Sequence, residues 1–293
     1  MMKREKATFL FPYFAVFQKI RGRPQGRGGN YMKLLKNTVS LLLSAVVVTC
    51  MGSAVFADSG VNINQTFKDA NFRTYLKQYD KNANGSLDDS ELKNITAICC
   101  TSENKIKDVS GIERLKYCTD FSAVAGEVVD VDLSKCTNIK NVSIFCCSKV
   151  KSFKAGSDLE YLEISHSSIE TLDLSCTFYL ETIELRCNDN LTGKVDLTRA
   201  MFLKSAMISS CPVTSIEFCK ASRLSVLEIT ATNVSNLDLR KITGLDFTLY
   251  FFISSNSNLR SMSLPSDIFI FHVSHMKNGK TSYIDDTRLF ILE

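Results

Sequence analysis

The stretch Leu159-Glu160-Tyr161-Leu162-Glu163-Ile164-Ser165-His166-Ser167-Ser168-Ile169-Glu170-Thr171-Leu172-Asp173-Leu174-Ser175 holds one short pattern twice: L-x-x-L-x-L from Leu159 to Ile164, and again from Ile169 to Leu174. Apolar and polar residues alternate at the end of each unit, the period of a strand with one buried face. The pattern continues in both directions through Ile139/Val142/Ile144, Val150/Phe153/Ala155, Leu180/Ile183/Leu185, Val213/Ile216/Phe218, Leu224/Leu227/Ile229, Val234/Leu237/Leu239 and Leu259/Met262/Leu264. Units recur about every ten residues, so two of them make one turn of about 21.

The two alternating series differ. In the series starting at Ile139, Leu159, Leu180, Leu203 and Leu224, the residue three past the last anchor is Cys147, Ser167, Asn188, Cys211 and Thr232. A small polar side chain there can bond the backbone where a coil turns a corner. This matches the leucine-rich-repeat pattern L-x-x-L-x-L-x-x-N/C-x-L. The other series carries Cys136, Asp158, Thr177, Ala200, Ala221 and Ile242 at that place and has no such ladder. The first series is therefore assigned to concave strands and the second to the opposite flank. Adding less regular turns at Ile95, Leu115 and Thr248 predicts an α/β solenoid: a leucine-rich-repeat horseshoe of about eight coils over 95–264. Residues 265–293, interrupted by Asn278-Gly279, read as a C-terminal hairpin cap.

Before the repeats, Asp80-Lys81-Asn82-Ala83-Asn84-Gly85-Ser86-Leu87-Asp88-Asp89-Ser90-Glu91 fits an EF-hand loop. Asp80, Asn82, Asn84 and Asp88 supply side-chain oxygens, Ser86 its backbone carbonyl and Glu91 a bidentate carboxylate, with Gly85 at the sharp turn. Asp69 to Tyr79 is expected to supply the entering helix, and Asp88 to Ile95 the start of the exiting one. Asn in place of Asp at two ligand positions lowers the ligand charge and implies weak Ca²⁺ binding, about 10⁻⁴–10⁻³ M. A single loop suits a structural N-terminal cap over 58–94 rather than a paired sensor.

Residues 32–57 read as a secretory signal peptide, with a basic Met32-Lys33-Leu34-Leu35-Lys36, an apolar run from Thr38 to Phe56 and a Val55-Phe56-Ala57 cleavage site. Arg27-Gly28-Gly29 can be encoded by a ribosome-binding sequence, so residues 1–31 read as upstream translation and Met32 as the start. The charge divides accordingly. The whole chain has 35 basic and 31 acidic residues, a net +4, of which residues 1–57 carry nine Lys/Arg and one Glu, or +8. The remainder is −4, which leaves no basic field for nucleic acid or an anionic membrane. No stable membrane span is expected after cleavage, and the product is expected to be a monomer, secreted or held noncovalently at a cell surface.

No catalytic constellation emerges. The ten cysteines after residue 57 lack zinc-type spacing; many, such as Cys136, Cys147, Cys176, Cys187 and Cys211, fall at repeat-equivalent sites suited to small buried thiols. Phosphate-binding Gly loops and a G-x-S-x-G elbow are absent. A protein partner is the expected ligand. On the concave strands the central outward column is Ser143, Glu163, Glu184, Met207 and Glu228, flanked by Tyr161 on one side and by Phe145 and Arg186 on the other. The partner-binding set is therefore Phe145, Tyr161, Glu163, Glu184, Arg186, Met207 and Glu228.

Ile169-Glu170-Thr171-Leu172-Asp173-Leu174-Ser175 and Val131-Asp132-Leu133-Ser134 also resemble the "L-T-x-L-D-L-S" and "L-x-x-L-D-C-S" units of secreted internalin-like leucine-rich-repeat proteins of Gram-positive bacteria. The resemblance covers roughly residues 62–264. It implies protein binding through the concave face, and a helix–loop–helix before the first repeat. The sequence departs from that group in its degraded ladder and in lacking a C-terminal sorting motif. Two other readings stand beside it: a scaffold component with a dockerin-like loop at 80–91, and a secreted thiol enzyme. A single loop with Glu at its twelfth position weighs against the first.

Overall fold

The computed structural model describes residues 60–220, 224–242, 250–263, 274–277, 280–283 and 289–291. The expected signal peptide at 32–57, its expected cleavage site and residues 1–31 lie outside them. Eight parallel strands form one sheet: β3 (Ala97–Thr101), β4 (Asp120–Val124), β6 (Asn141–Phe145), β8 (Tyr161–Ser165), β10 (Thr182–Arg186), β12 (Ser205–Ser209), β14 (Val226–Thr230) and β16 (Tyr250–Ser254). Each pairs only with its neighbours in chain order. Eight strands enclose seven complete turns.

Between them run the shorter strands of the opposite flank: β5 (Asp130–Asp132), β7 (Ser152–Lys154), β9 (Thr171–Asp173), β11 (Lys194–Leu197), β13 (Ser215–Phe218), β15 (Asn236–Asp238) and β17 (Ser261–Ser263). They form three separate groups, β5–β7–β9, β11–β13 and β15–β17, the last joined by β20 (Leu289–Ile291). The chain is thus a parallel β-solenoid, consistent with the leucine-rich-repeat solenoid expected, but with few of the helices that an α/β class implies. With about ten residues from one strand to the next, a helix and its two loops do not fit, and among the described repeats only Ile112–Arg114 forms a single 3₁₀ turn.

The repeat anchors fill one continuous core between the two flanks, including Val142, Ile144, Leu162, Ile164, Ile183, Leu185, Ala206 and Ile208. One boundary differs from expectation. The second coil is anchored by Cys118, Phe121 and Ala123, all buried, so its pattern starts at Cys118 and not Leu115. Thr248 lies outside the described residues, but Phe251 and Ile253 pair in register with Leu227 and Ile229.

Seven of the eight long strands, all but β3, leave through the same corner. Ala125, Cys146, His166, Cys187, Ser210, Ala231 and Ser255 all take positive φ, between 48° and 57°. The residue after each is the ladder residue, except that Gly126, after Ala125, has no side chain to contribute. Asn188 shows what the ladder does: its Oδ1 accepts from Ser167 N (3.1 Å) and its Nδ2 donates to Ile164 O (2.7 Å), both on the preceding coil. Ser167 Oγ likewise accepts from Cys147 N (3.1 Å), and Cys147 Sγ from Gly126 N (3.4 Å). Asn256 repeats the Asn188 arrangement on Thr232 N and Ile229 O, 2.8 Å each. On the other flank the D-L-S motif is a turn in which Asp132, Asp173 and Asp196 Oδ1 accept from the backbone N–H two residues on.

The first and last segments are built differently. β1 (Val61–Asn62) and α1 (Ile63–Thr66) precede α2 (Ala70–Leu76), which is followed by β2 (Ser86–Leu87) and α3 (Asp89–Leu92). Phe67, Phe72, Leu76, Leu87 and Leu92 belong to the same buried core as the coils. Gly111 has φ +100°, and a Cβ there would lie 2.8 Å from the Phe67 ring, so only glycine fits where this segment meets the first turn. The exiting helix is shorter than expected: α3 is one turn, because the chain must extend by Ala97 to pair with β4. At the other end β18 (Ser274–Lys277) and β19 (Lys280–Tyr283) pair antiparallel across Asn278-Gly279, and β20 returns onto β17.

Asn188 is fully buried, so Asn188→Ala strands an N–H and a carbonyl of the preceding coil. The expected loss is about 2–4 kcal/mol, read as a lower denaturation midpoint. Asn188→Ser should recover part of it, since Ser167 fills the same role one coil earlier.

Candidate functional site

Two groups of residues stand out, the loop at 80–91 and the outward face of the long sheet. In the loop, Gly85 turns with φ +82°. Asp80 Oδ1 accepts from Asn84 N (3.1 Å) and its Oδ2 from Gly85 N (2.8 Å); Asn82 and Asn84 Oδ1 accept from Asn84 N (3.0 Å) and Ser86 N (2.8 Å). Asp88 caps α3 and forms a reciprocal capping box with Glu91. Glu91 is only 4% exposed. Its Oε1 accepts from Lys81 N (2.7 Å) and its Oε2 from Asp88 N (3.0 Å). Among the described residues it has no Lys, Arg or His partner.

These residues fit a hard cation. A buried carboxylate without a counter-charge is costly, and all six groups offer oxygen. Glu91 Oε1 takes a second N–H, from Asn82 (3.4 Å), and Asp88 Oδ1 accepts from Glu91 N and Ser90 Oγ. Both Asp80 oxygens, Asn82 Oδ1, Asn84 Oδ1 and Glu91 Oε2 each accept one N–H and retain a further lone pair. The described residues hold no convergent trio of His, Cys, Asp and Glu side chains; the loop's donor set depends on Asn and carbonyl oxygens besides its carboxylates. The edge of β2 pairs antiparallel with β1, Val61 opposite Leu87.

Asp69 fastens this segment to the first coil. Its Oδ1 caps α2 through Asn71 N (2.7 Å) and Phe72 N (2.9 Å), while Oδ2 accepts from Lys107 N (3.0 Å) and Asp108 N (3.3 Å). Partial burial raises its carboxyl pKa, but the four N–H donors outweigh that and hold it below the ordinary value. Asp89 is held low by Lys116, then Lys93 and the Tyr117 hydroxyl, which ties α3 to the chain just before β4.

On the long sheet, pairing places Ser143, Glu163, Glu184, Met207, Glu228 and Phe252 opposite one another in one row. The structure thus brings the expected column together, but its members are not equally available. Met207 is 4% exposed, contrary to expectation. Arg186 lies across it, Nη2 to Sδ 3.1 Å, and reaches Glu184 (3.5 Å) and Glu228 (3.8 Å) on either side. Glu163 instead meets hydroxyls, from Ser143, Tyr161 and Ser165, each at 3.3 Å. Phe145 is 41% exposed and contacts the His166 ring edge-on, with centroids 5.7 Å apart.

The thiols divide by position. Cys136, Cys147 and Cys211 are buried as expected, whereas Cys176 is exposed and Cys187 half-buried. Thr177 takes the inward place beside Cys176, and Cys187 sits at a positive-φ corner that turns its side chain outward. Cys136, Cys147, Cys176, Cys187 and Cys211 all carry free thiols. Burial pushes the Cys211 thiol up to about 11 and those of Cys118 and Cys136 up to about 12, which keeps them protonated and unreactive.

One surface feature escaped the sequence reading. Phe178, Tyr179 and Phe202 cluster with ring centroids 5.1–5.8 Å apart, each 41–50% exposed, and Met201 beside Phe202 is 40% exposed. The signal was present: these residues immediately precede the anchors Leu180 and Leu203, where other coils have Thr137-Asn138 or Ser157-Asp158.

No protein-family model matches the chain, and no curated protein matches it. Among solved structures, the functional domain of InlJ from Listeria monocytogenes, described as including a cysteine ladder, superposes with a TM-score of 0.39 at 19% identity. The match covers 71% of this chain and 58% of that one, so the chain spans less than two thirds of the InlJ structure's length. An internalin, InlF, from Listeria monocytogenes str. 4b F2365 gives a TM-score of 0.26 at 15% identity, over 72% of this chain and 93% of that one. These scores are too low to carry an argument, and the solenoid rests on the strand register itself.

Asp69 yields a pH-dependent outcome. Its folded pKa is depressed, so its contribution is present above the ordinary carboxylate value of 3.8 and is lost as pH falls through the folded value. Asp69→Ala should cost about 1–2 kcal/mol at neutral pH, as loss of a helix cap does. Urea denaturation of wild type and variant should show the gap narrowing on acidification below the carboxylate range.

Proposed function

We propose that the chain is a secreted or cell-surface leucine-rich-repeat protein that binds another protein through the face of its long sheet. One observation supports this above the others. In-register pairing of parallel strands lines up Phe145, Tyr161, Glu163, Glu184, Arg186 and Glu228 on one outward surface assembled from four coils. An extended surface of this kind recognises a partner by the spacing of its side chains, with aromatic and arginine residues as anchors. The arrangement suits binding rather than catalysis. Secretion draws on the leader sequence at 32–57; no helix among the described residues is long and apolar enough to cross a membrane.

In this reading Asp80, Asn82, Asn84, Ser86, Asp88 and Glu91 hold Ca²⁺ in a segment that closes the first coil, and the C-terminal hairpin closes the last. The ion would neutralise the buried Glu91 and hold the loop in the turn that places Leu87 in the core. A solenoid needs both ends covered, because a terminal coil has one face without a neighbour.

Two measurements test the reading. With a Kd near 0.1 mM and millimolar Ca²⁺, thermal unfolding should show stabilisation of about 1.4 kcal/mol relative to chelator. Glu91→Gln, which keeps one acceptor for the loop N–H groups, should abolish the Ca²⁺-dependent increment. Equal melting with and without the ion, together with absent Ca²⁺ binding, overturns the metal site. For the face, Phe145→Ala with Tyr161→Ala should abolish capture of a protein partner by the immobilised chain at unchanged melting temperature. Retained capture moves the site elsewhere.

A further inference from the structure

The outward row on the long sheet divides into two halves of different electrostatic character. In one half the chain supplies its own cation. Arg186 rests on the Met207 sulfur between Glu184 and Glu228, whose side chains are 12% and 13% exposed. In the other half, Glu163 is one strand over from Glu184 and has only hydroxyl donors about it. Among the described residues no Lys or Arg forms an ion pair with it.

The surroundings of Glu163 are suited to a positive charge. Tyr161 lies two residues before it on β8, and its hydroxyl reaches Glu163 Oε2. Phe145 pairs with Ser165 on the neighbouring strand, which puts it diagonally across the face from Glu163. A carboxylate between two aromatic side chains offers a cation both an ion pair and ring faces. The hydroxyls of Ser143, Tyr161 and Ser165 fix where both carboxylate oxygens point, so little ordering cost remains for an incoming group. Arg186, one strand away, shows how this face accommodates a guanidinium between carboxylates.

We propose that Glu163, with Tyr161 and Phe145 beside it, seats an arginine or lysine side chain presented by the partner protein. This rests on the reading of the long-sheet face as the binding surface. Charge complementarity selects the occupant: an acidic segment would meet Glu163, Glu184 and Glu228 with no cation left to receive it, since Arg186 is already engaged.

The test uses N-acetyl-arginine amide as probe and N-acetyl-citrulline amide as its neutral counterpart, titrated against the folded full-length secreted chain and followed by NMR. Resonances of Tyr161, Glu163 and Ser165 should shift with millimolar arginine probe and not with the citrulline one. Glu163→Gln, which preserves acceptors for the three hydroxyls, should weaken binding about tenfold. Glu217→Gln removes the same charge from the opposite flank, where Glu217 pairs with Lys194 (2.8 Å), and should leave it unaltered. Equal binding of both probes, absent shifts at Tyr161 and Ser165, or wild-type affinity in Glu163→Gln overturns the proposal. The two readings separate in partner capture. Loss on Phe145→Ala with Tyr161→Ala but not on Glu163→Gln sinks the cation site and leaves the face standing; loss on neither sinks both.

Discussion

The constraint on which the solenoid depends is the buried position just past the corner that ends seven of the eight long strands. There the chain must turn inward, and its N–H and carbonyl groups leave the sheet before water can reach them. An unpaired buried group of that kind costs about 1–3 kcal/mol, and each turn would repeat the cost. The ladder removes it by letting one side chain serve the backbone of the adjacent coil. Asn188 and Asn256 serve both an N–H and a carbonyl; Ser167 and Cys147 accept from the neighbouring coil and turn their own hydrogen to a carbonyl of their own strand. The same corner fixes the positive-φ residue just before it, so residues as unlike as Ala125, His166 and Ser210 adopt one backbone.

Much of this was legible because the repeat ties local sequence to long-range geometry. Once Leu162/Ile164 and Ile183/Leu185 are read as inward pairs, the outward row between them follows from the two-residue period, and the observed register agrees. The ladder from Cys147 to Thr232 was legible for the same reason: a small polar residue recurs at a fixed place in otherwise apolar surroundings. The second coil was misread because Leu115 and Cys118 both suit an anchor; only the pairing of Phe121 with Val142 decides between them. The solenoid was legible and the scarcity of helices was not, because the shared consensus specifies the long strand and leaves the other flank to its loop length.

Side-chain exposure on the outward face was less legible. Pattern alone says that Met207 points outward; it does not say that Arg186, two residues along the neighbouring strand, is long enough to cover it. The exiting helix was overextended for a related reason. Asp88 and Glu91 are good helix-start residues, yet one turn later the chain is needed as a strand. In each case the sequence states a local preference and the neighbouring coil overrules it.

The short flank is divided into three groups, whereas the long sheet is continuous. Between β9 and β11, and between β13 and β15, adjacent coils are therefore joined through strand pairing on one side only. A load applied along the stack is carried in series, rung by rung, and these two seams bear it with the fewest bonds. The protein is built as three stiff blocks on a common backing, and under tension it should open at the joints between them, with the coils inside each block parting later.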